Sequence, residues 1–136
     1  MLPLETLLAA RRLLSAPGAW TVGTYAKNSK GFDVLPGDEA ATCWCTLGAI
    51  YRATQCSPDE RTNDPDVVDA AEALVIAGGL PPEDRRSNNS PTVVVFRWND
   101  EPGRTQDEIL ALFDRAIEAT AKRHHAQGLP SVEPVQ

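Results

Sequence analysis

Thr92-Val93-Val94-Val95-Phe96-Arg97-Trp98 is the stretch on which the reading of the whole chain turns. Valine, phenylalanine and tryptophan sit well on a pleated, half-buried surface. The run is almost continuously apolar, which predicts a long strand paired centrally or covered on both faces. Asn99-Asp100-Glu101-Pro102-Gly103 comes next, with turn chemistry. Thr105-Gln106-Asp107-Glu108 then has the form of a capping box that opens a last helix. Ile109, Leu112, Phe113, Ala116, Ile117 and Thr120 recur at helical spacing behind it and predict its buried stripe.

Upstream, Leu4, Leu7, Leu8 and Leu14 predict a first helix, stopped at Ser15-Ala16-Pro17-Gly18. Trp20-Thr21-Val22-Gly23-Thr24-Tyr25 and Phe32-Asp33-Val34-Leu35 read as the limbs of a hairpin around Asn28-Ser29-Lys30-Gly31. Asp38 suits the N-cap of a second helix running to about Thr54, with Trp44, Cys45, Gly48 and Tyr51 along one stripe. Gly48 inside a helix costs about 1 kcal/mol relative to alanine. The expected compensation is close approach of another element, Trp20 or the strand through Val93–Phe96. Ser57-Pro58-Asp59-Glu60 has a capping-box form, and Asp64-Pro65 starts a helix to Ala77 that buries Val67, Ala71, Leu74 and Val75. Gly78-Gly79 ends it. Residues 81–91 read as a surface loop. The expected architecture is α+β: about four helices packed on a small sheet made of one hairpin and one long strand, in a single layer-pair core. Residues 1–127 form one domain in this reading, and 128–136 a flexible tail.

Composition narrows function by exclusion. The chain has 136 residues, enough to bury about two thirds of its unfolded surface. Its 13 basic residues against 19 acidic ones give a net charge of −6. Basic residues are scattered, with Arg11-Arg12, Arg85-Arg86 and Lys122-Arg123 the only adjacent pairs, so a nucleic-acid partner is not expected. No run approaches the roughly 20 apolar residues of a membrane span, and the start lacks the pattern of a secretory signal. Three cysteines without an export signal read as cytosolic thiols, so a cytoplasmic protein without a membrane partner is expected.

Chemistry, if present, should lie in two clusters. Cys43-Trp44-Cys45 offers a thiol nucleophile, with Cys45 favoured over Cys43 and Asn99 or Asp100 orienting a base. The base would be His124 or His125, near the end of the last helix. A buried, inert cysteine is the commoner outcome. Zinc on Cys43, Cys45, Cys56 and a histidine is disfavoured, because residues two apart on a helix face opposite ways. No metal is expected on that spacing, and no Gly-rich run precedes a helix, so no nucleotide cofactor is expected either. Trp98, Asn99, Asp100 and Arg104 could hold a small polar ligand or a partner. Turn and cap chemistry explains the same residues, with Asp100 and Arg104 as a local ion pair.

Trp44-Cys45-x-x-Gly48-Ala49, Trp98-Asn99-Asp100 and Arg104-Thr105 together resemble an uncharacterised small-protein family of bacteria and bacteriophages, a domain of unknown function. Trp20-Thr21-Val22-Gly23-Thr24-Tyr25-Ala26 is similar too, and the resemblance covers residues 4 to about 120. It implies a shared fold and a bacterial or phage origin, and transfers no catalytic role. The leading expectation is a small accessory protein that binds a protein partner, a second copy of itself or a small polar ligand. The alternative is a hydrolase or transferase using Cys45.

Overall fold

A computed structural model describes residues 1–58, 64–80 and 90–129. In those residues the chain is a mostly helical α+β protein: five helices and a two-stranded antiparallel sheet. The order is α1 (Pro3–Leu14), β1 (Ala26–Asn28), β2 (Ala41–Trp44), α2 (Thr46–Thr54), α3 (Pro65–Ile76), α4 (Pro91–Asn99) and α5 (Gln106–Ala126).

The run that reads as the strongest strand is the helix α4. Pro91 at its first position has no N–H to lose and a φ already suited to a helix. Val94, Val95 and Asn99 are buried while Val93 and Arg97 are exposed, a period of 3.6 and not 2. β-Branched residues are tolerated because α4 packs on α3 and α2, and tertiary burial outweighs a propensity of a few tenths of a kcal/mol per residue. Pro91, expected in a loop, therefore opens a helix. The rest of that loop, residues 81–89, lies outside the described residues, as do Asp59 and Glu60 of the expected capping box at 57–60.

The second helix begins seven residues later than expected. Asp38 caps a turn instead, its Oδ1 accepting from the Ala40 N–H at 2.8 Å. Ala41–Trp44 then pairs with β1, Ala26 opposite Trp44 and Lys27 opposite Cys43. Cys45 becomes the N-cap of α2. Cys43 and Cys45 are thus a strand residue and a cap, so the helical geometry that separated them does not apply.

The hairpin is present in altered form. Asn28 makes the turn, its Oδ1 accepting from the N–H groups of Lys30 and Phe32 at 2.9 and 3.0 Å. The limbs meet through Lys27 and Asp33, and residues 20–25 approach β2 instead, through a parallel bridge from Trp20 to Trp44.

The helices at either end agree closely with the sequence. Glu5 of α1 accepts from the Leu2 N–H at 2.9 Å, and Leu4, Leu7, Ala10 and Leu14 are buried. α3 buries Val67, Ala71, Leu74 and Val75. α5 opens on the expected capping box, Thr105 and Glu108 each bonding the other's backbone N–H at 3.2 and 3.1 Å. The Gln106 amide reaches back to the carbonyls of Leu14 and Ala16, both at 2.8 Å, satisfying the end of α1. At the other end of α5, Gly128 adopts a left-handed φ of 73°, and the N–H groups of Gly128 and Leu129 bond the carbonyls of His125 and His124. Those two residues cap the helix. α1, α2, α3 and α5 enclose a core of Leu7, Leu14, Ile50, Leu74, Ile109, Leu112 and Phe113.

Candidate functional site

Asn99 joins the motifs that stand out in the sequence. It is the last residue of α4 and fully buried. Its Oδ1 accepts from the Trp20 indole N–H at 2.7 Å, the Thr46 backbone N–H at 2.9 Å and the Thr46 hydroxyl at 2.7 Å. Its Nδ2 donates to the Thr21 carbonyl at 3.2 Å and to Asp100 Oδ1 at 2.9 Å. One amide therefore ties α4 to the segment 20–21 and to the first residue of α2. Both of its N–H donors and its acceptor are engaged, so it offers nothing to a ligand.

Asp100, expected in a turn, caps α4 with φ −90° and ψ 4°. Its Oδ1 also accepts from the Gly23 N–H at 3.0 Å. Gly23 holds φ +80°, a conformation few side chains adopt, which turns that N–H toward the carboxylate. Arg104 does not pair with Asp100. Its guanidinium lies 4.0 Å from the centre of the Trp98 ring, its Nε donates to the Trp98 carbonyl at 2.9 Å, and it pairs with Glu108 at 3.0 Å. That pairing holds the Glu108 carboxyl below its ordinary range. Trp98, Arg104 and Glu108 thereby fix the corner between α4 and α5.

Cys45 is fully buried, and its Sγ accepts from the Gly48 N–H at 3.2 Å, the bond an N-cap normally makes through oxygen. Burial pushes the thiol up to about 11, outweighing that backbone N–H, which pulls the other way. Around neutral pH the sulfur is a protonated thiol and a poor nucleophile. Its own N–H donates to the Tyr25 carbonyl at 3.1 Å. The same carbonyl lies where a Cβ on Gly48 would fall, so Gly48 is what lets Tyr25 reach the helix. Close approach at Gly48 is as expected, but the neighbour is Tyr25 rather than Trp20 or α4. The Tyr25 ring then packs against Tyr51 and Phe96, with centroids 5.5 and 6.5 Å away.

The other two cysteines are half-buried. Cys43 Sγ faces the Lys27 carbonyl at 3.9 Å. Cys56 Sγ faces that of Thr54 at 3.6 Å, and its thiol is raised, chiefly by burial. Among the described residues no group of three or more His, Cys, Asp or Glu side chains is placed to hold a metal ion. His124 and His125 occupy the last turn of α5, 19 and 20 positions beyond Thr105. At about 1.5 Å per residue that is nearly 30 Å along the helix from the corner at Trp98. The structure therefore joins Asn99 and Asp100 to Thr46 and the segment 20–23, sets Trp98 and Arg104 together at the α4–α5 corner, places Cys45 beside Tyr25, and leaves the histidines at the far end. Trp20 and Thr46, the partners of Asn99, were not legible as such: an indole and a capping-type threonine carry no signal for a specific distant amide.

Two surface depressions lie elsewhere. One, about 620 Å³, is bordered by Leu35, Pro36, Asp38, Arg52 and Cys56. The Arg52 guanidinium there donates to the carbonyls of Pro36 and Asp38 at 3.2 and 3.0 Å. The second, about 270 Å³, lies between the N-terminus of α1, the second half of α3 and the end of α5. No described helix is long and apolar enough to cross a membrane.

A mostly helical α+β fold pinned by one buried asparagine defines a class of structure and not of reaction. The family model that matches residues 1–119 gives the same answer: the chain belongs to DUF6197, a family of unknown function. No curated protein and no solved structure matches it.

Proposed function

We propose that this is a small accessory protein of a bacterium or phage that acts in the cytoplasm by binding rather than by catalysis. The observation that carries this reading is the engagement within the fold of the leading candidates of both clusters. Asn99 is saturated, Arg104 is stacked and paired, and the Cys45 thiol is buried and protonated. A nucleophilic cysteine needs an exposed, electropositive setting and a base within hydrogen-bond range. Cys45 sits instead in a cap with a carbonyl and an N–H as neighbours. Exposed apolar side chains on the surface, Leu35 by one depression and Ile76 and Leu129 by the other, suit a protein partner better than a small polar ligand.

Alkylation of the native protein with iodoacetamide near neutral pH, read by mass spectrometry, tests it. Cys45 should label only on denaturation, with Cys43 and Cys56 ahead of it. Rapid labelling of native Cys45 would restore the cysteine-enzyme reading.

A further inference from the structure

We propose that the groove between α3 and the end of α5 is a contact between two copies of this chain. The inference names a partner for the binding reading and rests on it. Eight large apolar side chains are exposed among the described residues. Four of them, Met1, Leu2, Ile76 and Leu129, gather at this one end. Leu2, Ile76 and Leu129 line the groove, and the Met1 ammonium is held beside it by Asp66 of α3 at 3.2 Å. Apolar side chains clustered this way around a depression mark an interaction surface more often than scattered ones do.

The two rims carry opposite charge. Asp69 and Glu72 stand on the α3 side, and Arg123 on the α5 side with His124 tucked in behind it. A groove of this pattern is complementary to itself. A two-fold axis running along the groove exchanges left and right rims, so each copy's Asp69 and Glu72 lie over its partner's Arg123. An axis across the groove would set like charges against each other. With a net charge of −6 per chain, two copies repel over most of their surface, and pairing of opposite rims offsets that repulsion here. Ile76 and Leu129, exposed on the two rims, supply the apolar contact that closes the groove.

Sedimentation velocity of the full chain from micromolar to submillimolar concentration should reveal a monomer–dimer equilibrium. Reversing one rim, with Asp69→Lys and Glu72→Lys together or with Arg123→Glu, should weaken it by about tenfold or more. Mixing those two variants should restore a dimer, since one rim pair is then native and the other reversed on both sides. Ile76→Ser should weaken self-association without changing the circular dichroism spectrum. A chain that stays monomeric throughout overturns the proposal and leaves the groove to another occupant. A dimer indifferent to both reversals, or variants that do not rescue each other, overturns it equally. A monomeric result leaves the binding reading standing, because thiol labelling decides that one independently.

Discussion

At Cys45 a sulfur takes the cap position an oxygen usually holds, and its burial there moves its titration far from neutrality. Its folded value of about 11 lies above the ordinary 9.0. The native state keeps the proton between those values while the unfolded chain releases it, so stability falls as pH rises through that window. A difference of that size corresponds to roughly 2–3 kcal/mol, fully present below about pH 9 and lost by about pH 11. Tyr51, also raised mainly by burial, contributes in the same direction at the upper end. Chemical denaturation of wild type and Cys45→Ala over this range isolates the thiol: the difference between the two should shrink as pH rises.

Among elements, the sequence was legible wherever local chemistry and burial agree. α1, α3 and α5 carry proline at the first helical position, acidic first turns or a capping box, together with an apolar face at helical spacing. Those signals are local, and the helices fall close to where they predict. The middle of the chain was not legible for two reasons. A short apolar run such as Val93-Val94-Val95-Phe96 has no period that separates strand from buried helix, and only the surroundings settle it. At Asp38 the same side chain can cap a helix or a turn, and the pairing of Ala41–Trp44 with β1 selects the turn. Gly48 was informative because a helical glycine needs a reason, although the sequence could not say that Tyr25 was the reason. Gly48→Ala should accordingly be far worse than its helix propensity suggests. A methyl group placed on the Tyr25 carbonyl should cost about 3 kcal/mol or more, read as a fall in the urea midpoint with an unchanged m-value.

For the whole molecule, the same few residues determine both the fold and the appearance of a site. Trp98-Asn99-Asp100 and Cys45-Thr46 draw together α4, α2 and the segment 20–23, which are far apart in sequence. Their residue types were visible from the start, and so was their clustering. The direction of their bonds, inward to each other instead of outward to a ligand, could not be read. Urea unfolding of Asn99→Ala tests that account most directly. The substitution leaves the Trp20 indole N–H and the Thr46 N–H and hydroxyl without their shared acceptor, and each unsatisfied buried group costs about 1–3 kcal/mol. Stability should fall by roughly 3 kcal/mol or more. A residue held in place for chemistry behaves the other way, since replacing it commonly leaves a protein as stable or more so. An Asn99→Ala protein as stable as wild type would contradict the account.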